Sequence, residues 1–293
     1  MTRTFDSILA HACARAGLST RHAVRVQVAE NAIYRLRPGV IARVGRTGQA
    51  AVAIKEVRVA RWLEHAGLPA ARVLPDVDQP VDVDGAAVTF WRELPTHQPG
   101  DSVRVAEMLR RLHRLEPPTW FHLPSLAPFV RIRERVQAAL IPAADRDWLL
   151  SYLDDLERRY AAGLPPGLAP TVVHGDAWVG NVVIDDTGTA WLVDLERFAV
   201  GPPEWDLVST AVRFSSFGSL GAAEYSEFCR TYGHDVMSWD GYETLRDIRE
   251  LRACSYMLQQ ATTNPAARAE AAMRVACLRG AAGPRPWSWS QIS

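Results

Sequence analysis

Residues 174–181 read His-Gly-Asp-Ala-Trp-Val-Gly-Asn, and a second carboxylate, Asp194, follows eighteen residues after Asp176. No other feature constrains the chain as tightly. Thr171-Val-Val173 has the β-branched composition of a short strand leading into the segment. Asn181-Val-Val-Ile184 reads as a second strand, Asp185-Asp-Thr-Gly188 as a tight turn with glycine at its end, and Ala190-Trp-Leu-Val193 as the return strand. Such a hairpin carries Asp194 back beside Asn181. His-Gly-Asp alone would be an ordinary polar turn. An amide five positions beyond Asp176, a hairpin of matching length and a terminal aspartate make chance the weaker account.

The grouping has a chemical reading. Moving a γ-phosphoryl group requires a base or orienter for the attacking hydroxyl and cations that bridge the phosphates. Magnesium takes hard oxygen ligands in octahedral geometry and is held by one or two side chains plus phosphate oxygens. A kinase catalytic loop has the form His-x-Asp-x-x-x-x-Asn, which His174, Asp176 and Asn181 fit.

His174-Gly-Asp-x4-Asn181, Val193-Asp-Leu-Glu196 and Gly201-Pro-Pro-Glu-Trp-Asp-Leu207 together resemble the motif run of the aminoglycoside phosphotransferase and choline kinase-like small-molecule kinases, over roughly residues 25–260. The resemblance implies an α+β, protein-kinase-like two-lobe fold with a small strand-rich N-lobe and a mostly helical C-lobe. It also implies Asp176 as the catalytic base and Asn181 and Asp194 as Mg2+ ligands. Asp206 would open a helix and brace the catalytic loop, and His174 would be a second, hydrogen-bonding brace. Glu196 is either a group near the metal or a solvated charge.

At 293 residues the chain can form two lobes with separate cores. Residues 1–94 are expected to form the nucleotide-binding lobe and 95–293 the catalytic and substrate-binding lobe. In the first, a helix over about 4–17 precedes strands at 25–28, 32–36 and 40–44, a helix over 50–66, and strands at 72–74 and 87–91. Val52-Ala-Ile-Lys55 spells the strand motif of a phosphate-contacting lysine, but Ile54, Val57, Trp62 and Leu63 suit one helical face. Lys55, the only lysine, is then a solvated helix residue, and Glu56 on that helix faces Arg43 on the preceding strand. Arginine suits bidentate phosphate contact and stays charged when partly buried. The turn Val28-Ala-Glu-Asn-Ala32 holds no glycine, so no Gly-rich phosphate loop is present; Asn31 matches a position common in the family. The nucleotide is read as ATP, with GTP as the alternative. Main-chain groups of Arg92 and Leu94 are the candidates for contact with its base.

Beyond a connector at 95–100, helix-like spacing recurs at 102–115, 130–140, 145–161, 205–217, 221–232 and 241–260, and the Trp-containing tail from Gly283 is irregular and expected to dock on the surface. Eleven residues separate Asp194 from Asp206, too few for a peptide-docking activation segment, so the acceptor is read as a small-molecule alcohol. From residue 207 onward eight acidic and nine basic residues interleave, which does not favour a polycationic aminoglycoside. Trp178, Trp205, Phe214 and Phe217 are available for stacking or for the core.

Thirty-three basic and thirty-three acidic residues cancel, implying no broad attraction to nucleic acid or membrane, and no protein partner is evident. Four widely spaced cysteines form no metal or redox motif and read as buried free thiols. The N-terminal segment lacks the pattern of a secretion signal, and no apolar run reaches membrane-spanning length. A cytoplasmic location follows. The competing readings are a housekeeping kinase of choline, an amino alcohol or a sugar, and a nucleotide-binding pseudokinase scaffold. Retention of Asp176, Asn181 and Asp194 together argues against the scaffold.

Overall fold

The alternation of buried and open positions along two successive strands sets the N-terminal architecture. A computed structural model describes residues 4–28 and 31–289; Ala29 and Glu30, within the glycine-free turn, lie outside the described residues. Strands β1 (Val24–Val28), β2 (Ala32–Arg37), β3 (Val40–Thr47), β4 (Val81–Val83) and β5 (Ala86–Arg92) form an antiparallel sheet in the order β1-β2-β3-β5-β4. Ala32, Tyr34 and Leu36 of β2 alternate inward with Val40, Ala42 and Val44 of β3, joined by Val88 and Phe90 of β5. Helix α1 (Phe5–Arg15), capped by the Thr4 hydroxyl, covers this face with Ile8, Leu9, Ala12 and Cys13.

The opposite face carries Ile41 and Arg43 of β3, paired with Trp91 and Thr89 of β5. Helix α2 (Ala50–His65) packs against β5 and against a 3-10 turn at Leu195–Arg197. Its buried Val57, Ala60, Trp62 and Leu63 belong to the large core shared with the C-terminal helices, not to the core under α1. The stretch expected as a strand at 72–74 makes a single bridge, Val73 to Trp91.

Two small sheets follow. Strand β6 (His97–Pro99) pairs with β8 (Val182–Asp185), which pairs with β9 (Ala190–Leu192); β7 (Thr171–Val173) pairs with β10 (Ala199–Gly201). The turn between β8 and β9 is tied by Asp185, whose carboxylate accepts from the N–H of Thr187 and Thr189, the Thr187 hydroxyl and Trp191 Nε1. Helices α3 (Ser102–Leu112), α4 (Ile132–Ala138), α5 (Ala143–Ala161), α6 (Glu204–Ser215), α7 (Ala222–Tyr232) and α8 (Tyr242–Thr263) correspond to the six expected ones. A further helix, α9 (Ala267–Leu278), was not expected, and β4, β6 and β10 were also missed. The expected fold class, an antiparallel strand-rich N-terminal part followed by a helical C-terminal part, is the one observed.

The C-terminal tail does more than dock on the surface. Trp287 and Trp289 are buried in the large core and stack on each other at 5.3 Å, and Trp289 stacks on Phe217 at 4.7 Å. Arg285 forms two hydrogen bonds, 2.6 and 2.7 Å, to the fully buried Glu250 of α8. Cys13, Cys254 and Cys277 are buried free thiols and Cys229 is half-buried. Burial pushes Cys13 up to about 11 and Cys254 up to about 12, away from thiolate reactivity. Among the described residues no helix is long and apolar enough to cross a membrane.

Because the tail tryptophans fill core volume, Trp287→Ala should lower the unfolding free energy by about 3–5 kcal/mol. Urea unfolding followed by circular dichroism measures this, with Trp120→Ala at the exposed Trp120 as a control expected to change it by less than about 0.5 kcal/mol.

Candidate active site

The catalytic loop leaves β7 at His174 and enters β8 after Asn181, and a single buried carboxylate ties it down. Asp206, in the first turn of α6, accepts from the His174 N–H at 2.7 Å and the Gly175 N–H at 2.9 Å. His113, the residue that ends α3, donates to the same carboxylate at 3.1 Å. Burial would raise the Asp206 carboxyl; the His113 hydrogen bond and the nearby Arg249 charge outweigh it and hold it below the ordinary range. The His174 ring is fully buried: Nε2 donates to Val193 O at 3.0 Å, so the bare Nδ1 faces the Asp176 N–H at 3.4 Å. Burial lowers its pKa, so the ring is a neutral bridge between the loop and the strand that leads to Asp194. Gly175 has φ +83°, and a Cβ there would lie 2.4 Å from Arg197 O, which makes glycine obligatory.

The Asp176 side chain remains about 40% exposed at the cleft. Asn181, a buried residue, donates Nδ2 to Asp176 O at 2.9 Å, which leaves Oδ1 as its hard-oxygen donor. Val193 N–H donates to Asn181 O at 3.0 Å, so the hairpin does set Asp194 beside Asn181. Asp194 adopts the left-handed conformation at φ +57°, a strained state that aspartate tolerates better than most residues. Surrounding protein and the neighbouring Glu196 push its carboxyl up to about 6. Among the described residues no three His, Cys, Asp or Glu side chains converge as a metal group, so a cation here would draw its other ligands from phosphate and water.

Across the cleft, Arg43 Nη1 donates to both Glu56 oxygens at 2.7 and 2.8 Å, and Nη2 reaches Glu196 at 3.3 Å. Asn31, oriented with its amide oxygen toward the guanidinium, accepts from Arg43 Nε at 2.9 Å and Nη2 at 2.7 Å. Burial alone would lower Arg43, but Glu56, Asp194 and Glu196 outweigh it. Burial pushes Glu56 up to about 7 against the pull of Arg43. Glu196 is therefore part of an ion-paired cluster and not a solvated charge.

The profile of the phosphotransferase enzyme family matches residues 23–248. The chain belongs to that family. The solved structures it resembles share its fold at low identity. An amicoumacin kinase in complex with AMP-PNP, Ca2+ and amicoumacin aligns with 97% of this chain and 96% of its own, at TM-score 0.71 and 13% identity. A choline kinase from Streptococcus pneumoniae aligns over 93% and 99%, at TM-score 0.63 and 16% identity. An aminoglycoside phosphotransferase from Streptomyces rimosus, in complex with ADP and streptomycin, aligns over 84% and 99%, at TM-score 0.59 and 21% identity.

Several groups of this phosphotransferase lie elsewhere than sequence reasoning put them. Lys55 is on α2 as read, but it is not solvated: Nζ donates to Phe198 O at 3.1 Å and lines a cavity of about 330 Å³ beside the catalytic loop. The Arg92 N–H is committed to Arg72 O at 2.8 Å, which removes it as a donor to a base; Leu94 N–H has no acceptor among the described residues. Arg249 was overlooked. It is buried on α8, lies over the Trp205 ring at 3.9 Å, donates to Trp205 O at 2.8 Å, and brings Nη1 within 3.5 Å of Asp176 Oδ1. Trp205 Nε1 in turn donates to Gly175 O at 2.9 Å. The signal was present: Leu245, Ile248 and Arg249 recur at helical spacing among the buried positions of α8, where charge needs a reason.

Gly175→Ala should displace the loop by a few tenths of an ångström or more and reduce turnover by on the order of 10²-fold. The circular dichroism spectrum should stay unchanged, and an activity within twofold of the parent would refute the tight-fit account.

Proposed function

We propose that this phosphotransferase transfers the γ-phosphate of ATP to a hydroxyl of a small molecule, with Asp176 acting on the hydroxyl and Asn181 and Asp194 holding magnesium. The observation that carries this reading is the hairpin contact that brings Asn181 and Asp194 together, one short loop from the accessible Asp176 carboxylate. The donor set is all oxygen, as magnesium prefers. The nucleotides and Ca2+ bound in the related amicoumacin kinase and streptomycin phosphotransferase structures support a nucleotide and a divalent ion in the same cleft.

Asp176 accepts a hydrogen bond from the acceptor hydroxyl and aims its oxygen lone pair at the γ-phosphorus. The new P–O bond forms as the bond to the β,γ-bridging oxygen breaks, its electron pair leaving with ADP, and the hydroxyl proton passes to the Asp176 carboxylate and then to water. Magnesium would neutralise charge on the β- and γ-oxygens during that exchange. Arg43, oriented by Glu56, Glu196 and Asn31, would clamp the non-transferred phosphates. Leu94 N–H, with the apolar Ile41 and Trp91 on the same sheet face, would receive the base.

We take the lobe division to fall between 94 and 95. It is supported by the small core, which extends no further than Phe90, and by β6, which already pairs with β8 of the C-terminal part; α2 and Trp91 bridge the two. A small acceptor is supported by the segment from Asp194 to Asp206, which is used up by the 3-10 turn, β10 and the start of α6. The buried reduced thiols suit a cytoplasmic setting.

ADP release with magnesium should be stimulated by at least one member of a panel of aminoglycosides, nucleoside and macrolide antibiotics, choline and sugars. Asp176→Asn should lower that rate about 10²–10⁴-fold; stimulation by no alcohol, with nucleotide binding intact, would favour a scaffold. Asp194→Ala should abolish metal-dependent nucleotide binding in calorimetry, and unchanged binding would sink the metal assignment. A metal needs the ionised carboxylate, and Asp194 sits near 6, so affinity for magnesium AMP-PNP should rise from pH 5 to pH 7 and level off above. A flat profile over that interval would show that Asp194 is not the ligand.

A further inference from the structure

The cavity beside the catalytic loop has a charge imbalance that the transfer reaction itself does not require. Among the described residues its wall holds Lys55, Arg197 and Arg252 with one carboxylate, Glu196; Arg131, which has a partner of its own, also lines it. That carboxylate is engaged, 3.3 Å from Arg43 and 3.4 Å from Arg197. Arg252 donates to Pro128 O at 2.9 Å, a neutral partner, and Lys55 donates to the neutral Phe198 O. Gly175 also lines the cavity, so it opens directly onto the residue before Asp176.

Lys55, Arg197 and Arg252 come from three separate elements: α2, the turn after Asp194, and α8. Gathering like charges from distant parts of the chain is costly without a counter-charge. Burial and the positive neighbours Arg249, Arg197 and Arg135 all disfavour the charged form of Arg252, and Asp176 is the carboxylate that supports it. The cost falls when an anion enters.

We propose that the acceptor of this kinase is an anionic alcohol, one that carries a carboxylate or phosphate received by Lys55, Arg197 and Arg252 while its hydroxyl meets Asp176. This inference rests on the reading of the protein as a small-molecule kinase. It separates this chain from relatives whose acceptors are choline or streptomycin, since both of those are cations. Two guanidinium groups and an ammonium match carboxylate or phosphate oxygens through charge-assisted hydrogen bonds. At about 330 Å³ the cavity is at the lower end for small-molecule sites, which suits a compact metabolite.

The test uses the full chain saturated with magnesium AMP-PNP and hydroxylated probes at matched ionic strength. The anions are glycerate, tartrate and glycerol 3-phosphate, the neutral probe is erythritol, and the cations are choline and streptomycin. Thermal midpoints should rise with at least one anion and not with the neutral or cationic probes. Arg252→Gln should raise the half-saturating concentration of that anion about tenfold or more, with the KM for ATP unchanged within twofold. Arg197→Gln, at a half-buried side chain of the same wall, repeats the test should the first variant fold poorly. Midpoints that respond to no anion, that respond equally to erythritol, or that keep their anion response in both variants overturn the inference. So does a KM for ATP that rises in step with the anion constant, which would assign the cations to the γ-phosphate. The kinase reading is judged separately by ADP release that depends on Asp176. Such release with choline and no anion response keeps that reading and sinks this inference, whereas an anion response without such release overturns both, since the bound anion is then not an acceptor.

Discussion

The site depends on one buried carboxylate. Asp206 accepts two successive backbone N–H groups, from His174 and Gly175, and a third hydrogen bond from His113. Those donors have no access to water, and leaving them unpaired would cost about 1–3 kcal/mol each. Meeting that demand fixes where α6 begins relative to β7, and with it the course of the catalytic loop. Trp205, the preceding residue, extends the same clamp by donating to Gly175 O, and Arg249 closes it from α8 by stacking on Trp205. Asp176 is thus held from behind by the start of α6, by Arg249 of α8 and by His113 just after α3, while its own side chain stays partly exposed at the front.

A second set of constraints acts through the hairpin. The neutral His174 ring joins the loop to Val193, and Val193 N–H joins Asn181, so Asp194 is placed by backbone geometry before any ligand arrives. Its positive φ and raised pKa are both departures from the relaxed state of an aspartate. Each would be relieved by the cation proposed for this site, which gives a strained carboxylate at this position a functional reading.

Much of this was legible in the sequence because it is carried by local spacing. The catalytic loop, the tight turn at Asp185–Gly188 and the helical placement of Lys55 and Glu56 follow from turn chemistry and periodicity over short windows. Arg43 opposite Glu56 required only the order strand, then helix. What was missed depends on distant partners. Strand β6 is three residues long and exists only because β8 lies beside it. Helix α9 is dominated by alanine, which gives no strong apolar stripe. Lys55 looked solvated because nothing in sequence brings it to the carbonyl of Phe198, 143 residues away. Arg249 was only one of the nine basic residues after 207 until α8 was seen to bury it against Trp205. The Arg92 N–H goes to Arg72, whose extended segment carries only a single bridge, so of the two main-chain groups of Arg92 its carbonyl is the one left for a base.

Helix α2 places Glu56 under the Arg43 clamp and Lys55, its immediate neighbour, on the wall of the cationic cavity. Adjacent residues of an α-helix differ by about 100° in azimuth and 1.5 Å in height, and their separation is rigid. Any roll of α2 that re-aims Glu56 therefore swings Lys55 through the same arc. The two banks of the cleft share one axle, and the chain cannot trim one without steering the other.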